Sequence, residues 1–173
     1  MRDTGMGLVD RMLASVEVAS TGVAADRDEV VRVAAWLDSP TYAFFQRLHV
    51  NLEISITPGF HVYGEPIPRG FVPLSVQTAS LEGVEAGVAE WSAPTLFTME
   101  GLPEQFWVHT GTVRGSLPLT FSGPPGAGDH LIQVTVNYQA CSDSACYAPA
   151  SMSFSLPVRE VALDGRELPS GIR

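Results

Sequence analysis

Ile132-Gln-Val-Thr-Val-Asn-Tyr-Gln139 alternates without a break. Ile132, Val134, Val136 and Tyr138 fall on one side, and Gln133, Thr135, Asn137 and Gln139 on the other. A side-chain period of two belongs to an extended chain with one buried face. Downstream, Met152, Phe154 and Leu156 alternate with serines and predict a final strand. Upstream, Leu48, Val50, Leu52, Ile54 and Ile56 alternate with His49, Asn51, Glu53, Ser55 and Thr57 in the same way. Pro58-Gly59 then turns the chain into a further extended piece, Phe60-His-Val-Tyr63. Val72, Leu74 and Val76 alternate again, and Thr95–Met99, Trp107–Val113 and Leu117–Phe121 are further strand candidates, the last after an Arg114-Gly-Ser turn. Ser122–Asp129 is a loop. Many short strands, turn signals between them and 13 prolines predict a mainly β chain, a β-sandwich.

The first forty residues have a different pattern. Leu8, Met12, Leu13 and Val16 recur at helical spacing. Val30, Val31, Val33, Ala34 and Leu37 suggest a second amphipathic helix, with Asp26 and Asp28 as caps and Asp38-Ser-Pro40 as its end. The expected organisation is a helical lead-in or tail of a preceding domain over residues 1–43, a β domain over 44–160 and a C-terminal tail over 161–173.

The chain has 173 residues, enough for one domain that buries most of its apolar surface without covalent staples. Its net charge of −9 comes from 19 acidic residues against ten basic ones, all arginine. An acidic surface argues against nucleic acid and anionic membrane as partners. No stretch approaches the ~20 apolar residues of a membrane span. Met1-Arg-Asp-Thr-Gly-Met-Gly-Leu-Val-Asp10 lacks a cationic start followed by an apolar run, so it does not read as a signal peptide.

Two cysteines, Cys141 and Cys146, stand between the two last strands in Tyr138-Gln-Ala-Cys-Ser-Asp-Ser-Ala-Cys-Tyr-Ala-Pro149. A turning segment of this length can bring both within disulfide reach. A loop so short adds little stability through the unfolded chain, so a bridge here is one that can be cycled. Three readings stay open on spacing alone. The pair is a structural staple, a redox dithiol, or part of a metal site with His61 or His109. The spacing does not suit a zinc knuckle. His61 and His109 otherwise read as hydrogen-bonded structural histidines ahead of any role in proton transfer, and Glu100, Glu104 and Asp143 as isolated surface carboxylates ahead of any tuning of the dithiol. No phosphate loop, Ser/His/Asp set or paired-carboxylate signature stands out.

The context of the pair resembles the N-terminal periplasmic domain of the thiol:disulfide interchange protein DsbD family. There a strand runs into Tyr-Gln-x-Cys, and the second cysteine precedes Tyr-Pro-Pro. Thr57-Pro-Gly-Phe-His-Val-Tyr63 and Phe106-Trp-Val-His-Thr-Gly-Thr-Val-Arg-Gly-Ser-Leu-Pro-Leu119 are similar to two upstream family segments, in the same order. This chain has one residue fewer between its cysteines than the best-known members, and Tyr-Ala-Pro in place of Tyr-Pro-Pro.

The resemblance implies an immunoglobulin-like β-sandwich that relays electrons outside the cytoplasm, within a longer exported or membrane protein. The donor would be a thioredoxin-like domain and the acceptor an oxidised extracytoplasmic protein. Cys141 and Cys146 would be the dithiol, with Cys146 engaging partners, and no cofactor is needed. Phe106 would be the shielding aromatic of a cap loop, with Trp107 as its rival. Apart from the resemblance, Tyr138 and Tyr147 flank the pair and either line its pocket or are ordinary core or rim aromatics of the two strands.

Overall fold

A computed structural model describes residues 21–26, 28–98, 100–101, 103–122 and 129–162. The described chain is built from strands, without a helix. In order they are β1 (Thr21–Ala25), β2 (Val31–Leu37), β3 (Thr41–Tyr42), β4 (Arg47–Ile56) and β5 (Phe60–Tyr63). Next come β6 (Ser75–Thr78), β7 (Val84–Ala86), β8 (Glu90–Trp91), β9 (Thr95–Thr98) and β10 (Gln105–His109). The last four are β11 (Thr112–Phe121), β12 (Asp129–Tyr138), β13 (Ala140–Ser142) and β14 (Ala150–Glu160).

They form an immunoglobulin-like β-sandwich. One layer runs β1-β2-β4-β11-β7, with β8 also on β11, and the facing layer runs β3-β14-β12-β6. The alternating residues meet between them: Leu48, Val50, Leu52 and Ile54 of β4 are buried with Ile132, Val134, Val136 and Tyr138 of β12 and Phe154 and Leu156 of β14. Each such side chain contributes ~1.5–3 kcal/mol by leaving water. A smaller third sheet, β13-β5-β10-β9, sits beside the sandwich, and its Val62 and Ala140 reach into the same core.

The stretch expected as the second amphipathic helix is strand β2. Val31, Val33, Ala35 and Leu37 face the core at period two, and β2 pairs with β1 on one side and β4 on the other. β-Branched valines at alternate positions favour the pleated surface over helical crowding. Asp26 therefore caps no helix. Its carboxylate accepts from the backbone amides of Val30 (2.7 Å) and Val31 (3.1 Å) in the β1–β2 turn, and from the Tyr138 hydroxyl (3.3 Å). The helix expected over Leu8–Val16 lies outside the described residues, as do positions 163–173 of the expected tail.

Three further expectations change. Trp107–Val113 is not one strand, because Gly111 turns the chain at φ +65° between β10 and β11. Arg114-Gly-Ser is not a turn but mid-strand, and Gly115 is there because the Trp91 ring occupies the place of its absent Cβ. Val72 and Leu74 precede β6 and lie outside any strand.

Candidate functional site

The long β12–β14 ladder, from Asp129↔Arg159 to Tyr138↔Ala150, ends where residues 139–149 project from it. These residues form a tight hairpin. Ser142 N donates to Ala145 O (2.8 Å) and Tyr147 N to Ala140 O (2.9 Å). The Ser142 hydroxyl oxygen also accepts from the amides of Ser144 and Ala145, the local bonding that makes serine a turn residue. Across this hairpin Cys141 and Cys146 stand opposite each other, Cα atoms 4.0 Å apart, and are joined as a disulfide.

Gln139 anchors the hairpin's base. Its side chain is buried; Oε1 accepts from Val72 N (3.1 Å) and Nε2 donates to Tyr147 O (3.2 Å). The hairpin is thereby tied to the segment that follows β5.

The two sulfurs differ in surroundings. Cys146 is exposed, whereas Cys141 is 0 % exposed and belongs to a small core with Tyr63, Phe106 and Val108, against which Ile67, Phe71 and Phe97 pack. This core is the outer face of the third sheet. Its register sets Cys141 opposite His61, Val108 opposite Tyr63 and Phe106 opposite Phe97. In β5, Phe60 and Val62 serve the main core, which leaves His61 and Tyr63 on the cysteine side.

Tyr63 is the residue in hydrogen-bond contact with both sulfurs. Its hydroxyl lies 3.4 Å from Cys141 Sγ and 3.5 Å from Cys146 Sγ, and with a disulfide present only the phenol can donate. Burial holds the phenol above its ordinary range. Its ring packs on Phe71 (4.9 Å between centroids), Phe106 (5.7 Å) and His61 (5.7 Å). His61 also lies 4.6 Å from Phe97. Burial lowers the His61 imidazole below its ordinary range, with the Asp143 carboxylate pulling weakly the other way.

Phe106 is buried in the cysteine cluster, but as a residue of strand β10, not of a loop. Trp107, its neighbour in the strand, points to the opposite face and is half-buried. Tyr138 is buried in the main sandwich core and bonded to Asp26, away from the sulfurs. Tyr147 lies on the exposed rim, 42 % accessible and stacked on Phe60. His109 shares the face of Trp107, across the sheet from the cluster, so the two histidines considered for a metal site stand on opposite faces. Among the described residues no three His, Cys, Asp or Glu side chains cluster in a geometry for a metal ion.

Tyr63 and His61 were within sequence reach. Period-two alternation across Phe60-His-Val-Tyr63 pairs them on one face; which face meets the cysteines is decided by a β5–β13 register that the sequence does not carry.

Among curated proteins nothing matches this chain. Residues 37–157 match the family described as "Thiol:disulfide interchange protein DsbD, N-terminal". Among solved structures, the N-terminal periplasmic domain of ScsB from Proteus mirabilis superposes with a TM-score of 0.57 at 14 % identity, over 86 % of this chain and 53 % of that one. The present chain thus spans about half of that structure's length. The reduced Neisseria meningitidis DsbD N-terminal domain gives 0.44 at 17 % identity, over 64 % of this chain and 77 % of that one. With the family match covering most of its length, including the hairpin and its disulfide, the chain belongs to the DsbD N-terminal family of thiol:disulfide interchange domains.

Proposed function

We propose that this domain is a protein-disulfide reductase module, a two-electron relay working through Cys141 and Cys146. The observation that carries the reading is the asymmetry of the pair: Cys146 exposed at a hairpin, Cys141 sealed, and one phenol touching both sulfurs. A partner thiolate must approach along the disulfide axis, and only Cys146 offers that approach.

The loading step is thiolate attack on Cys146 Sγ. A partner–Cys146 bond forms, the Cys141–Cys146 bond breaks, and its electron pair leaves on Cys141. The donor's second thiol then displaces Cys146, so the donor is oxidised and this domain holds two thiols. Discharge reverses the order. Cys146 thiolate attacks an oxidised acceptor, and Cys141 closes back on Cys146, releasing the acceptor reduced. Two electrons and two protons pass in each direction, and no cofactor takes part. Tyr63 donates to whichever sulfur bears charge, an arrangement that favours thiolate over thiol.

A thioredoxin-like domain suits the donor role, oxidised extracytoplasmic proteins suit the acceptor role, and the periplasm suits the compartment; family membership supports all three. Phe106, with Tyr63 and Phe71, shields the inner sulfur from small reagents. Tyr147, exposed next to Cys146 in the chain and stacked on the half-buried Phe60, forms a rim on which a partner can rest. The test is the reduction potential of the pair. A value above about −300 mV is expected; one well below that mark is that of an inert staple and ends the relay reading.

A further inference from the structure

His61 is 4 % exposed, and its Nε2 has no hydrogen-bond partner. A buried polar atom left unpaired costs ~1–3 kcal/mol, so its persistence calls for a cause. The register supplies one. His61 is the cross-strand partner of Cys141, on the same face of the sheet. Directly opposed residues stand ~4.5–5.5 Å apart at Cβ, within reach of an imidazole. In the disulfide Cys141 has no proton to offer. In the dithiol it has one, at a position that is 0 % exposed in the disulfide form.

We infer that His61 is the proton acceptor for Cys141, a buried base that is unpaired in the oxidised domain and engaged in the reduced one. This rests on the relay reading above. When Cys141 attacks the Cys146–partner bond, its S–H proton passes to His61 Nε2 and the Cys141–Cys146 bond forms. The Cys146–partner bond breaks with its electron pair on the partner sulfur, which takes up the proton as His61 returns to neutral. No outside oxidant enters. Cys146 needs no such base, because it faces solvent.

The surroundings leave His61 as the group for this task. On its own strand the titratable neighbour is Tyr63, and the hairpin contributes Cys141, Cys146 and Asp143. Strands β9 and β10 present uncharged Thr95, Phe97, Phe106 and Val108 on this face, and the segment after β5 adds Ile67 and Phe71. Burial keeps the imidazole in its neutral, proton-accepting form at neutral pH, and Asp143 stands ready to favour the transient imidazolium.

The experiment follows reduced protein mixed with 5,5′-dithiobis(2-nitrobenzoate). Thionitrobenzoate leaves once as Cys146 is captured and again as Cys141 closes the disulfide. In the wild type the closing phase is flat from about pH 6.5 to 8.5, where a histidine base is neutral and the thiol still protonated. His61→Gln should slow that phase ~100-fold at pH 7 and make it rise tenfold per pH unit, leaving the capture phase unchanged. Should His61→Gln fail to fold, His61→Phe keeps the ring contact with Phe97 and carries the same test. A closing phase with the wild-type pH profile in a folded variant overturns the role of His61 alone. Capture without any closing phase in the wild type overturns the relay reading instead.

Discussion

Tyr63 holds its hydroxyl 3.4 Å from the Sγ of Cys141, a residue 78 positions away in sequence. The contact makes the phenol a ready donor to a thiolate formed at this buried sulfur. Tyr63→Phe should raise the Cys141 thiol pKa by about one unit, since a hydrogen bond to a charged group is worth ~1.5–3 kcal/mol. Reduction of the disulfide by a small dithiol should slow about tenfold. Thiol titration by ultraviolet absorbance and stopped-flow reduction measure the two effects; if neither moves, the phenol only packs.

The order of the two cysteines has a direct readout. Cys146→Ser should abolish capture of a partner as a mixed disulfide, and Cys141→Ser should trap it. Non-reducing electrophoresis after mixing with a reduced or oxidised thioredoxin-like protein reports both, and the opposite pattern would reverse the roles of the sulfurs.

Phe106 packs against Tyr63 and Phe71 with 3 % of its surface accessible. Phe106→Ala should cost ~3–5 kcal/mol by denaturant unfolding, as large core truncations do. The opened space should also speed modification of Cys141 in the reduced domain. A loss of stability with no change in modification rate would leave Phe106 as core packing and remove it as a shield.

Asp26 ties three donors together at the β1–β2 turn, two backbone amides and the Tyr138 hydroxyl. Asp26→Ala should cost ~2 kcal/mol and Tyr138→Phe ~1 kcal/mol. Their double variant should cost less than the sum, because both lose one shared bond. Strict additivity in urea titrations would show that the bond contributes nothing.

His61 and His109 are both held below the ordinary histidine pKa, chiefly by burial. The unfolded chain therefore binds protons near pH 6.5 that the folded chain does not. Stability from these groups is complete above pH 6.5 and is lost as pH falls below it. Thermal midpoints should drop between about pH 7 and pH 5, and His109→Gln should flatten that slope. An unaltered slope in His109→Gln would assign the acid loss to other groups.

The period-two segments translated directly into structure, because burial on one face leaves a repeat that survives in the sequence: β4, β12 and β14 all show it. Val30-Val-Arg-Val-Ala-Ala-Trp-Leu37 did not, since its apolar residues fit helical spacing as well as alternation. Only the neighbours β1 and β4 decide between the two. Gly115 mimics a turn glycine, yet its reason is Trp91, a contact over 24 positions. The cysteines announce themselves through their flanking residues. Their surroundings do not: Tyr138 and Tyr147 adjoin them in sequence but point elsewhere, while Tyr63 and His61 are set on their face by the third sheet's register and Phe71 packs there from the segment after β5.

The hairpin that carries the cysteines is closed twice by its own backbone, Ser142 to Ala145 and Tyr147 to Ala140, and clamped at its base by Gln139. None of these bonds involves sulfur. Cutting the disulfide therefore removes none of the bonds that shape the hairpin. On the relay reading, a visiting protein would then tell oxidised from reduced at the outer sulfur and not by silhouette. Departure, on the same reading, would be timed by the breaking of one covalent bond and not by a change in the surface on which the visitor sits.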